Sequence, residues 1–202
     1  MQDAGIKPDV VTYNTMIGAL ARQGDTAGSL EWVRKMEAAG VRPDGVTYNT
    51  MVGAFARHGD TARSQDWIRK MRRAGVEPDA VTYNTMVGAF AREGDTTKSE
   101  EWIQKMQRAG VEPDAVTYTA MIDAAAKRGD IAKVMEWIRA MQRAGVKPDA
   151  ATYRTLAGAY SKLGGAAERT EWRGEMRAAG FAWHVWRDAL PPLLIKENDG
   201  PV

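Results

Sequence analysis

The sequence predicts an all-α solenoid of stacked helix–turn–helix units, and three observations carry that expectation. The string V-T-Y-N-T-M begins at Val11, Val46 and Val81, V-T-Y-T-A-M follows at Val116 and A-T-Y-R-T-L at Ala151, each step being 35 residues. Self-similarity at such a period marks a repeat architecture. Within a unit the apolar residues recur at helical spacing: Tyr13, Met16, Ile17 and Leu20 form one stripe on a helix of 3.6 residues per turn. Glycine, aspartate and proline then punctuate every unit at the same places. Two amphipathic helices leave apolar stripes that only neighbouring units can cover, so the units must stack.

In chain order, residues 1–9 read as the end of an incomplete repeat, because Met1 to Asp9 aligns with Met36 to Asp44 at the same 35-residue offset. The chain is thereby expected to belong to a longer array. Repeats occupy 10–44, 45–79, 80–114 and 115–149, and the second and third are nearly identical. The first helix of each closes at a glycine (Gly24), as a C-terminal cap does, and the next residue, Asp25, is suited to N-cap the second helix. That second helix carries Trp32, Val33 and Met36 and ends at Gly40, with Pro43 just beyond. The signals return at Gly59/Asp60, Gly94/Asp95 and Gly129/Asp130, and Pro78, Pro113 and Pro148 close the later units. A fifth, degenerate repeat spans 150–184, where Gly165 replaces the capping Asp and Phe181-Ala182-Trp183-His184 replaces V-x-P-D. Residues 185–202 are expected to form a cap and tail, with Trp183, Trp186 and Leu190 over the last apolar face and Pro191-Pro192 as the stop.

Composition excludes several chemistries. The 202 residues contain no cysteine, which removes disulfides, Cys-ligated zinc, iron–sulfur clusters and a thiol nucleophile. His58 and His184 are the only histidines, 126 positions apart, so a metal site is not expected. There is no apolar run of 18 residues to span a membrane, no P-loop and no Gly-x-Ser-x-Gly. Most carboxylates recur as columns, either capping (Asp25, Asp60, Asp95, Asp130) or beside the Trp (Glu31, Asp66, Glu101, Glu136, Glu171), where an active site would be singular. The expectation is a non-enzyme with no cofactor and no small-molecule substrate. The formal charge of +2 hides an asymmetry: the five first-helix segments carry +5 and the remaining residues −3.

A 35-residue unit opening V-T-Y-N-T and closing A-G-V-x-P-D resembles the pentatricopeptide repeat of the P type, over Val10 to about His184. The Trp column (Trp32, Trp67, Trp102, Trp137, Trp172) departs from the Phe or Leu more usual there, a matter of packing. The resemblance implies a right-handed superhelix that binds single-stranded RNA in its groove at about one nucleotide per repeat. It implies action in organellar RNA processing, stabilisation or translation, in mitochondrion or chloroplast, alongside other RNA-processing proteins. Base reading then falls to the residue after the Tyr and the residue after the Pro: Asn14 with Asp44, Asn49 with Asp79, Asn84 with Asp114, and Thr119 with Asp149. In the family Asn–Asp selects U, with C tolerated, and Thr–Asp selects G, so the expected site is 5′-UUUG-3′. Arg154 and His184 of the fifth unit match no known pair. Val11, Val46, Val81 and Val116 resemble the base-sandwiching position, where Ala151 would grip less well. The basic column Arg22, Arg57, Arg92, Lys127 and Lys162 resembles the phosphate-contacting position. Five such contacts give a salt slope of about −3.5, at roughly −0.7 per phosphate.

Each column also has a plainer reading. Asn and Thr both serve near helix starts, Asp after Pro is equally an N-cap, and a basic residue at a helix end complements the dipole. Trp and Met columns are read as core. The alternative function is a protein-interaction scaffold like the tetratricopeptide solenoids, although those have a period of 34 and lack the paired polar columns.

Overall fold

The computed structural model describes residues 7–161 and 166–178, and every described helix takes its place in the predicted rhythm. First helices are α1 (Val10–Arg22), α3 (Gly45–Arg57), α5 (Ala80–Glu93), α7 (Ala115–Lys127) and α9 (Ala150–Ser161). Second helices are α2 (Thr26–Ala38), α4 (Thr61–Arg73), α6 (Thr96–Arg108), α8 (Ile131–Arg143) and α10 (Ala166–Ala178). No strand occurs among the described residues. The expected features at Met1–Ile6, at Lys162 and Gly165, and from Phe181 through His184 to the tail lie outside the described residues.

Local chemistry sets the helix bounds. Asp9, Asp44 and Asp114 N-cap α1, α3 and α7, each carboxylate accepting from the backbone N–H of the Thr three residues on. Asp25, Asp60 and Asp130 do the same for α2, α4 and α8. Between the helices of the first unit Gly24 adopts φ +82°, the left-handed region where a side chain is strained, and Asp25 N–H reaches back to the Leu20 carbonyl at 3.0 Å. The turn is thus closed by backbone bonds, and the chain reverses in two residues.

The chain forms two compact units, Met1–Glu93 with Lys98–Val111, and Gly94–Thr97 with Glu112–Val202. In the first, α1 pairs with α2 and α3 with α4, while α1, α3 and α5 stack in succession. Its core takes Ile17, Val33, Met36, Met51, Val52, Phe55, Ile68, Met71, Met86 and Phe90, all at most 2% exposed. In the second, α7 packs on α8 and α9 around Ile122, Val134, Ile138, Met141, Leu156, Tyr160 and Trp172.

The second-helix Met column is core, as expected, and so are Trp67, Trp102 and Trp172, while Trp32 and Trp137 are half-buried. Trp32, Trp67, Trp102 and Trp137 each meet the Tyr of their own repeat, with ring centroids 6.0 Å apart for Tyr13–Trp32 and 6.0 Å for Tyr48–Trp67. Lys70 then lies over the Trp67 ring at 4.4 Å and Lys105 over Trp102 at 4.5 Å, so the W-x-x-K spacing packs a cation on the outer ring face. Met16 corrects the expected stripe. It is 38% exposed, while Met51 and Met86, its counterparts in the next two units, are fully buried. The stripe of α3 is covered by α1 and that of α5 by α3, and no described helix precedes α1 to cover Met16.

A serine column adds a tie that the helical pattern does not reveal. The buried Ser64 hydroxyl lies 3.1 Å from the Val52 carbonyl of the facing helix and equally far from the Asp60 carbonyl of its own, and Ser99 lies 3.2 Å from Val87, while Ser29 sits nearer its own Asp25 carbonyl, at 2.8 Å, than Ile17, at 3.4 Å.

Candidate nucleic-acid interface

The first turns of the first helices carry an unusual surface. Val11, Val46, Val81 and Val116 are 65%, 59%, 58% and 57% exposed. With Met16 they are the exposed large apolar side chains of the described residues. Single exposed apolar residues are ordinary on a protein surface. A set repeating every 35 residues at one helical position is a column of identical flat contacts, each left open to solvent.

Three residues after each Val, and therefore on the same helix face, stands the polar residue of the expected reading pair. Asn14 donates through its amide nitrogen to Asp44 Oδ1 at 3.0 Å, and Asn49 donates to both oxygens of Asp79, at 3.0 and 3.1 Å. A carboxylate only accepts, so the amide NH2 must face it. The other end of the amide is held too: Thr47 Oγ1 donates to Asn14 Oδ1 at 2.6 Å, and Thr82 Oγ1 to Asn49 Oδ1 at 2.5 Å. Each half-buried Asn is left with one N–H and one carbonyl lone pair, a donor and an acceptor side by side.

Thr119 is held differently. Its Oγ1 lies 2.6 Å from Thr152 Oγ1, and Thr152 Oγ1 in turn donates to Asp149 Oδ1 at 2.9 Å. Asp149 therefore reaches Thr119 through a second hydroxyl. Asn84 and Asp114 occupy the equivalent places on α5 and before α7, where Asp114 and Thr117 form a reciprocal capping box. Arg154 is exposed on α9, and Ala151 before it is half-buried.

The aspartates are set up as acceptors. Burial works to raise the carboxyls of Asp44 and Asp79, but bonds from the backbone N–H of Thr47 and Thr82 and from the Asn amides outweigh it and hold both below the usual carboxylate value. For Asp149 the Thr152 backbone N–H is the largest influence and acts in the same direction. One carboxylate thus caps a helix and orients a neighbouring repeat's polar group, which joins the plainer reading to the sharper one.

The sequence and fold agree with known proteins. The PPR repeat family matches at residues 8–57, 43–92, 78–127 and 115–162, more than half of the chain. The chain belongs to the pentatricopeptide repeat family. A solved structure of the pentatricopeptide repeat protein PPR10 in complex with an 18-nt psaJ RNA element is 26% identical with a TM-score of 0.77, covering 93% of this chain and 27% of that one. PPR10 from maize matches at 25% identity with a TM-score of 0.69, again over 93% of this chain and 26% of the other. The chain thus spans about a quarter of the length of these relatives. The PPR domain of Arabidopsis thaliana protein-only RNase P 1, in complex with tRNA, shares the fold at 15% identity and a TM-score of 0.62, over 89% of this chain and 98% of that one. No curated protein sequence matches significantly.

In this pentatricopeptide repeat chain the basic column has a role that sequence did not reveal. Arg57 lies back over Gly53 and donates from Nη2 to the Ala21 carbonyl, near the end of the preceding repeat's first helix, at 2.8 Å. Arg92 reaches the Ala56 carbonyl in the same way at 3.4 Å. Each guanidinium adds a second donor to a helix-end carbonyl that already accepts a turn N–H, from Gly24 at Ala21 and from Gly59 at Ala56, and keeps further N–H donors free of that bond. Lys127 pairs with Asp123 at 2.6 Å, Arg22 is exposed, and Lys162 lies outside the described residues. No group of three or more His, Cys, Asp or Glu able to hold a metal occurs among the described residues, and no described helix is long and apolar enough to cross a membrane.

Proposed function

We propose that the chain binds single-stranded RNA selectively, about one nucleotide per repeat, with the core site 5′-UUUG-3′ read by repeats at 10–44, 45–79, 80–114 and 115–149. The observation that carries this reading is the bonding of Asn14 to Asp44 and of Asn49 to Asp79, with Thr119 linked to Asp149 through Thr152, each polar group set three residues from an exposed valine. A base that slides between two such valines covers apolar surface that water now meets, which favours binding without regard to sequence. Its edge then meets the oriented Asn or Thr. The one N–H and one lone pair left on Asn14 and Asn49 match the neighbouring acceptor and donor on the edge of uracil, and cytosine fits the same amide with the roles exchanged. By the family pattern Asn84 and Asp114 are assigned to the third nucleotide. The basic column then meets phosphates with the donors that the helix-end carbonyls leave over, and Lys162 extends the column by one repeat.

The family relation supports this chemistry, since PPR10 is described in complex with RNA. The chain acts by occupying its site, in organellar RNA processing, stabilisation or translation, in a mitochondrion or chloroplast. Titration of the protein with an RNA containing U-U-U-G and with a control of A and C only tests the reading. Tighter binding of U-U-U-G is expected, and equal binding of the two overturns it.

A further inference from the structure

We propose that the reading unit is a triad whose third member comes from the next repeat, and that Thr152 makes Thr119 an acceptor toward the fourth nucleotide. This rests on the RNA reading above and names a residue that the two-residue pairs omit.

Hydrogen bookkeeping carries the argument. Thr152 is fully buried, and its hydroxyl has one hydrogen and two lone pairs. The Asp149 carboxylate has no hydrogen to give, so the 2.9 Å contact between them uses the hydrogen of Thr152. Asp149 N–H donates to one lone pair of Thr152 at 3.3 Å. The remaining lone pair faces Thr119 at 2.6 Å, where either hydroxyl could donate; with the Thr152 hydrogen on Asp149, which can only accept, Thr119 is the donor. Thr119 is left with lone pairs alone toward the groove. Guanine offers N1–H and a 2-amino group to such an acceptor, while adenine presents its own lone pair at N1 and is rejected. The short side chain leaves room for a purine. In the first two repeats the partner is an amide carbonyl, which cannot donate, so Thr47 and Thr82 give their one hydrogen to Asn14 and Asn49 at 2.6 and 2.5 Å in place of the Asp oxygens at 3.0 and 2.9 Å, and the amides cannot swing. All these threonines are completely buried, so they act through their partners and are positioning residues.

Binding of the whole chain to U-U-U-G and U-U-U-A, measured for the parent, T152V and T152S, tests the proposal. Val keeps the shape and removes the hydroxyl, which frees the Thr119 hydrogen to meet adenine N1. The preference for G over A is expected to fall about fivefold, the worth of one ordinary hydrogen bond. The preference for U over A at the first three nucleotides is expected to stay, and T152S to restore G over A. Loss of the cap alone would lower every affinity together and leave that ratio unmoved. An unchanged ratio in T152V, in a protein where T119N does shift the fourth base, overturns the triad and leaves the pair. If T119N shifts nothing, base reading itself fails and the triad falls with it. Should T152V unfold, T47V carries the test at the first nucleotide, where U over A is expected to weaken. Retention of that preference overturns the proposal.

Discussion

Thr119→Asn probes the reading at a single nucleotide. Asn14 and Asn49 meet an Asp 30 residues on and a Thr 33 residues on; position 119 meets Thr152 at the same offset, with Asp149, 30 residues on, bonded to Thr152. An amide placed there should adopt the bonds seen at Asn14, with its N–H toward Asp149 and its carbonyl toward the Thr152 hydroxyl. It then offers one donor and one acceptor in place of lone pairs, and it fills the space that a purine needs. Guanine loses about one hydrogen bond and uracil gains about one, each worth roughly 1 kcal/mol net. The ratio of U to G at the fourth nucleotide should therefore rise by roughly 30-fold, since about 1.4 kcal/mol is a factor of ten. Competition anisotropy with U-U-U-G and U-U-U-U measures that ratio directly. A variant that folds like the parent and keeps its preference for G would refute the reasoning.

Two further outcomes follow from the same geometry. Arg57→Ala should lower stability by about 1 kcal/mol, because it leaves the Ala21 carbonyl without its guanidinium, whereas Arg22→Ala should lower it less; urea denaturation compares them. Stability should also be lost in acid. The folded carboxyls of Asp44, Asp79 and Asp149 lie below 3.8, so their contribution is complete above that value and disappears as pH falls through the folded values; thermal melts at stepped pH follow it.

The helices were legible because their signals are local. Gly24 with Asp25 and Pro43 with Asp44 mark ends and starts within a few residues, and the apolar stripe is a pattern of three and four. The buried Met column of the second helices and the buried Trp67, Trp102 and Trp172 follow from the same pattern. What could not be read were bonds that exist only once units stack. Thr47 meets Asn14 across 33 residues, and in sequence it is one small polar residue in a helix start. Arg57 looked free for phosphate because its partner is a backbone carbonyl 36 residues earlier, and no side-chain pattern announces a carbonyl. The Ser64 tie to the Val52 carbonyl escapes notice for the same reason. Met16 was misread because its cover is a neighbouring helix and not a feature of its own stripe.

The central claim is that successive repeats read successive bases, and selection from a randomised single-stranded RNA pool tests it most directly. The account predicts enrichment of U-U-U-G as contiguous nucleotides, with the G moving to U when Thr119 becomes Asn. Recovery of no motif, or of one that ignores that substitution, would contradict it.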